Sequence, residues 1–162
     1  NLPRGETINI KDHTIKNLAV VVEKLPIGTN LAIYQLLWML VSGGLHSSRG
    51  ALIPALAAMG LKEAEVRRAW AAFRYGAWTI GAMLRSWQEH VEAQGEWQAH
   101  QHAGYSVKSV DITAYFRPSV KGIKSKHYDA QAGKGLPAVV FGMIGRVGSV
   151  GEQRMALMTD LI

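Results

Sequence analysis

The sequence contains no cysteine, which excludes a disulfide framework, a thiolate zinc site and a cysteine nucleophile. A reducing cytosol suits that absence. Long apolar runs are missing as well. The longest, Leu31 to Val41, is interrupted by Gln35 and falls far short of the roughly 20 residues that cross a bilayer, so it reads as a buried helix and no membrane partner is expected. The opening Asn1-Leu-Pro-Arg-Gly-Glu has no apolar core of the kind a secretory signal carries, and the expected location is cytoplasmic. No internal repeat or low-complexity tract is visible. Gly142, Gly145, Gly148 and Gly151 recur every three residues, yet no lysine-serine or lysine-threonine closes them into a phosphate loop; they are expected to relieve packing on a strand or to mark its end. His90, His100, His102 and His127 are scattered, without a companion acid at metal-ligand spacing.

Positive charge is in surplus. Eighteen Lys and Arg against twelve Asp and Glu give a formal charge of +6, which attracts polyanions over long range and gains from counterion release; the same surplus also serves plain solubility. With 48% apolar and 19% charged residues, the composition is that of an ordered protein holding one domain or two small ones.

The first half is read as helical. Ile15, Leu18, Ala19, Val22 and Leu25 follow helical spacing after Asp12 and Thr14, either of which can cap, and Pro26 and Gly28 end the run. Asn30 is expected to cap a second helix to about Val41, apolar on nearly every side and so surrounded by other elements. A third helix is expected from Ser47 or Ser48 to Gly60, a fourth over Lys62 to Tyr75 with Val66, Trp70 and Phe73 on one face, and a fifth over Trp78 to Ala93. Glu96 to Gly104 reads as a connector. Beyond it the pattern changes to strands: Tyr105 to Phe116, Ala138 to Val147 and Arg154 to Ile162, with a solvated basic loop over Arg117 to Pro137.

Two features carry chemistry. Ala55 and Leu56 precede Gly60, and Val66 follows six positions later, a pattern resembling the helix-turn-helix of DNA-binding proteins. On that reading Arg67, Arg68 and Arg74 on the second helix, with Arg49 ahead of the first, would face phosphates or a major groove. An ordinary helix pair turning at a glycine has the same pattern, and Glu63 and Glu65 oppose docking by like charge. The second feature is Asp111, an acid inside the otherwise apolar strand Ser109-Val-Asp-Ile-Thr-Ala-Tyr-Phe-Arg117-Pro118. A buried carboxylate asks for a cation or for hydrogen bonds; a strand-end aspartate bonded to backbone amides is the plain alternative. Arg117, Lys121, Lys124, Lys126 and Lys134 could touch backbone phosphate or be merely solvated. Trp70, Trp78 and Trp87 suit a core, whereas Trp97 in the connector is freer.

Val110-Asp-Ile-Thr-Ala-Tyr-Phe-Arg-Pro, the pair His127-Tyr128, and Gly135-Leu-Pro-Ala-Val-Val-Phe-Gly-Met-Ile-Gly-Arg-Val-Gly-Ser-Val with Gln153-Arg154 together resemble a bacterial insertion-sequence transposase of the DDE type over about residues 105–162. The resemblance implies an α+β chain. A helical region (1–45) and a helix-turn-helix DNA-binding region (46–98) would be followed by the first strands of an incomplete ribonuclease-H-like catalytic domain (99–162). It further implies that Asp111 is the first member of an Asp-Asp-Glu triad holding Mg²⁺ (or Mn²⁺). Water would be the nucleophile for strand cleavage and a 3′ hydroxyl for strand transfer. The DNA partner would be double-stranded transposon ends bound by a homodimer, in a bacterial cytoplasm near the nucleoid. Only one triad member can be placed: Asp160 sits in or just after the third strand and is not assigned, so these residues alone should be inactive. A truncated transposase acting as a non-catalytic DNA-binding repressor, and a helical interaction module unrelated to DNA, are the competing readings.

Overall fold

The computed structural model describes residues 9–26, 28, 30–117 and 121–162; the opening segment 1–8 and Pro118 of the Asp111 motif lie outside them. The fold is α+β, and the chain divides after His90 into two compact units, the first helical and the second built mainly of antiparallel sheet. Among the described residues no helix is long and apolar enough to cross a membrane.

Helix α1 (Ile10–Glu23) starts where Asn9 Oδ1 accepts the Lys11 N–H at 3.0 Å. Neither Asp12 nor Thr14, the two residues expected as caps, is the N-cap; Asp12 lies in the first turn, where its charge suits the positive helix end. Thr14 donates its hydroxyl to the Ile10 carbonyl at 2.8 Å. Asn30 likewise does something other than expected. It is the first residue of α2 (Asn30–Val41), and its amide reaches back to the carbonyls of Val22 and Leu25 at 2.8 and 3.0 Å, tying down the end of α1, where the Val22 carbonyl also accepts the Leu25 N–H at 3.0 Å. Ile33, Leu36 and Met39 of α2 are buried against α1, α3 and α4, while Leu31, Leu40 and Val41 at its two ends stay exposed.

Helix α3 (Leu52–Ala58) begins later than the serines suggest. Ser47 and Ser48 donate their hydroxyls backward to the Gly44 and Leu45 carbonyls, and Arg49 and Gly50 have φ of +52° and +85°, which breaks any helix there. Residues 59–62 join α3 to α4 (Glu63–Tyr75), with Gly60 at φ +83°, a conformation costing other residues about 1–2 kcal/mol. Ala55 and Leu56 of α3 share one buried cluster with Val66 and Ala69 of α4 and with Val22, Leu25, Ile33, Leu36 and Met39. The segments expected as 1–45 and 46–98 therefore contribute to a single core. Trp70, Phe73 and Trp78 form an aromatic row, with centroids 6.1 and 5.8 Å apart, and the Trp78 indole donates to the Ala72 carbonyl. Helix α5 (Ile80–Ala93) is tied to α1 by buried Ser86, whose hydroxyl donates to the Val21 carbonyl at 2.6 Å.

In the second unit β6 (Lys134–Val150) is the axis. It pairs antiparallel with β1 (Trp97–Ala99), β4 (Lys108–Phe116), β5 (Lys126–Asp129) and β7 (Gln153–Leu161). The expected connector thus holds a strand, β1, and after it a separate hairpin of β2 (Gln101–His102) and β3 (Tyr105–Ser106) turning at Ala103 and Gly104, both at positive φ. Alanine is an unusual choice there, and Asn-Gly is the ordinary signal. The basic loop also contains a hairpin, since Lys126 to Asp129 pair with Pro137 to Lys134. Such charged sequence lacks the apolar alternation of a core strand; backbone pairing at the sheet margin does not require it. Three of the four regularly spaced glycines relieve packing or end a strand, whereas a Cβ on Gly142 would make only ordinary contact with Ile162. A Cβ on Gly145 would lie 3.2 Å from the Ala156 side chain, one on Gly148 would strike Trp97, and Gly151 turns the chain at φ +56°.

Candidate nucleic-acid interface

On α4 the helical period turns Val66 and Ala69 into the core and leaves Glu63, Ala64, Arg67, Arg68, Ala71 and Arg74 as an exposed stripe. Small alanines between arginines let a polyanion approach the helix closely. Arg67 pairs with Glu63 one turn earlier, both side chains about four-fifths exposed. Such a pair is worth only a few tenths of a kcal/mol, so it yields easily to a phosphate. Arg68 borders a cavity of about 360 Å³ between α2 and α4, shared with Gln35, Glu65 and Tyr75. Glu65 lines the same cavity, its Oε2 accepting the Lys62 N–H at 2.7 Å, and among the described residues no carboxylate lies within ion-pair distance of Arg68. Arg74 lies over the Tyr75 ring at 5.3 Å. Arg49 is exposed in the turns that precede α3. The two acids expected to oppose docking are therefore both engaged within α4 and its cap.

Arg117, Lys121, Lys124, Lys126 and Lys134 lie in or beside the β5–β6 hairpin, all exposed, and none has a carboxylate partner among the described residues. Arg117 caps the ring of Tyr115 at 4.3 Å and donates to its hydroxyl at 2.9 Å. The one acid of the hairpin, Asp129, accepts the Gln131 N–H at 2.9 Å and shapes the turn.

Asp111 is not buried. Strand alternation places Val110, Ile112, Ala114 and Phe116 on one face of β4 and Ser109, Asp111, Thr113 and Tyr115 on the other, so the apolar neighbours that seemed to enclose it point the opposite way. Its carboxylate is exposed and accepts the Ile112 N–H at 2.9 Å. It stands at the rim of a shallow depression of about 220 Å³ with Ser109, Met143, Gly145, Ala156 and Met158. Asp160 pairs with Ile144 whereas Asp111 pairs with Met143, which puts the two acids on opposite faces of the sheet. Among the described residues no three His, Asp or Glu side chains come together as a metal site. Asp111 alone does not fit a divalent ion.

Trp97 is not free either. Its ring lies against Gly148, the Arg146 guanidinium sits 4.9 Å from its centroid, and Arg146 pairs with Glu92. Sequence reasoning passed over Tyr115 and Tyr128, exposed by 51% and 65% on the face that carries Arg117 and Lys126. The signal was their two-residue spacing from those cations. No protein family, curated protein or solved structure matches the chain.

Proposed function

We propose that this chain binds double-stranded DNA as the end-binding part of a DDE-type insertion-sequence transposase. The observation that carries the reading is the exposed Arg67, Arg68 and Arg74 stripe on α4, set against α3 through a glycine turn and a shared buried cluster. That arrangement suits a helix-turn-helix, with α4 lying along the major groove and its arginines reaching phosphates or base edges. Arg49, with Lys121, Lys124 and Lys126, which have no carboxylate partner among the described residues, adds sequence-independent backbone contacts.

Supporting the transposase origin are the resemblance over residues 105–162 and the order of strands. The aspartate-bearing β4 pairs antiparallel with β6, and β6 pairs antiparallel with β7, an order that suits the start of a ribonuclease-H-like sheet. In the complete enzyme Asp111 would be the first of three carboxylates, and Mg²⁺ or Mn²⁺ bound by all three would supply Lewis acidity for phosphodiester chemistry. Among the described residues that set of three carboxylates does not form. Action as a homodimer in a bacterial cytoplasm belongs to the same reading.

Asp111 is exposed and joins no group of metal-ligating side chains among the described residues, which favours a second reading, a non-catalytic repressor that occupies transposon ends. Two measurements separate the possibilities. Duplex affinity should fall steeply with salt, by about 0.9 in log–log slope for each phosphate contacted; absence of duplex binding at low salt refutes both readings. In the full-length protein Asp111→Ala should leave end binding intact and abolish Mg²⁺-dependent cleavage. Unchanged cleavage refutes the assignment of Asp111, and no cleavage by the unaltered full-length protein favours the repressor.

A further inference from the structure

The sheet unit carries two exposed tyrosines, Tyr115 and Tyr128, that duplex binding leaves unused. Pro137 offers its carbonyl to the Arg117 N–H at 2.9 Å, while the next residue, Ala138, donates its N–H to the Ser125 carbonyl at 3.1 Å. Successive residues of a strand point these groups to opposite edges, so β4 and β5 flank β6 on either side. Tyr115 pairs with Val139, Lys126 with Pro137 and Tyr128 with Gly135. These are alternate positions of β6, and with Arg117, two residues beyond Tyr115, all four side chains share one face.

The chemistry of that face is unusual for a sheet margin. Two tyrosine rings, exposed by 51% and 65%, offer flat apolar faces with a polar tip. Between positions 117 and 137 the sequence has five Lys and Arg and a single acid, Asp129, whose carboxylate is engaged with the turn amides. The complementary partner is a polyanion that also presents flat π surfaces. By strand geometry the two rings are roughly 16 Å apart, four residues along β6 and two strand spacings across, with Arg117 and Lys126 between them.

We propose that this face binds single-stranded DNA. Tyr115 and Tyr128 stack on unpaired bases, and Arg117 and Lys126 hold the backbone that runs from one ring to the other. A duplex shows a protein only base edges, because its base faces are stacked on one another; rings lying open on a sheet are used only when bases are unstacked. The guanidinium of Arg117 stands 4.3 Å over the Tyr115 ring, and the residue stays half-exposed to a base. The inference rests on the DNA-binding reading for its choice of DNA over RNA, and it adds a second binding mode to that of α4.

Fluorescence anisotropy of labelled oligo(dT), oligo(rU) and a random-sequence duplex with the whole chain tests it. Tyr128→Ala is expected to weaken oligo(dT) binding by about 5- to 150-fold, the worth of one stacked base. Tyr128→Phe keeps the ring and should bind within about twofold of the unaltered chain. Lys126→Gln should lower the salt slope for oligo(dT) by about 0.7. Unchanged helix content and melting temperature in each variant separate lost binding from lost folding. Arg68→Ala with Arg74→Ala should weaken duplex and spare oligo(dT). Absence of oligo(dT) binding at low salt, equal losses for the Ala and Phe variants, or tighter binding of oligo(rU) or duplex at this face would overturn the inference. Loss of duplex binding alone, with ring-dependent oligo(dT) binding retained, would refute the α4 reading and support this one.

Discussion

Replacing Gly148 by alanine should detach strand β1. A Cβ at that position would lie 2.5 Å from the Gln98 carbonyl oxygen and 2.6–2.7 Å from two carbons of the Trp97 ring, about 1 Å inside ordinary contact. The indole alone could rotate, but the Gln98 carbonyl is backbone, so relief requires β1 to move off β6. The overlap should cost roughly 1–3 kcal/mol. The upper limit is set by the three residue pairs, Trp97–Val150 to Ala99–Gly148, that peeling would forfeit. In a unit of this size each kcal/mol lowers the melting temperature by about 4–8 °C. Differential scanning calorimetry and amide exchange read the outcome: a fall of roughly 5–20 °C, with protection lost at residues 97–99 before the rest of the sheet. Trp97→Ala in the same background should recover part of the loss, leaving the share owed to Gln98. A Gly148→Ala protein that melts with the unaltered chain and keeps its β1 amides protected would refute the packing argument.

Three further outcomes are expected. Leu56→Ala removes a fully buried side chain that seats α3 on α4 and should cost about 2–5 kcal/mol in urea unfolding of the helical unit; a loss below about 1 kcal/mol would mean that the site collapses around the deletion. Arg68→Ala and Arg74→Ala should each lower duplex affinity and take about 0.9 from the salt slope, since neither has a carboxylate partner among the described residues; an unchanged slope removes that arginine from the interface. Lys24 hydrogen-bonds Glu89 at 2.5 Å, and first that bond, then its charge, hold the Glu89 carboxyl below the usual carboxylate range. A depressed carboxyl stabilises the fold at neutral pH and loses that contribution as pH falls through its folded value. Lys24→Met should therefore return the Glu89 titration to the ordinary range by NMR and flatten that part of the acid limb, whereas an unmoved titration would show that the pair does not form.

Much of the helical half is written in its period. The positions of α1, α2, α4 and α5 follow from apolar spacing, and Gly60 with Ala55, Leu56 and Val66 marks a turn between packed helices. The boundaries are less legible because polar side chains have several backbone groups to choose from. Asn30 serves the preceding helix and Ser47 bonds backward, and neither choice is encoded in the residue type alone. The three main strands are readable, though β6 runs further at both ends than its apolar core. What pattern could not supply was pairing: β1 and β5 are polar segments made into strands by β6. Asp111 illustrates the same gap. Its apolar neighbours in sequence suggest burial, but strand alternation turns them to the opposite face, and only the register shows that Met143 lies across from it.

The central claim is that α4 meets duplex DNA through its arginine stripe, and NMR chemical-shift mapping of the whole chain during titration with a short duplex tests it most directly. The account predicts that the largest shifts fall on Ala64, Arg67, Arg68, Ala71 and Arg74, fading as salt is raised. Shifts that spare α4, or a spectrum that does not change at low salt, would contradict it.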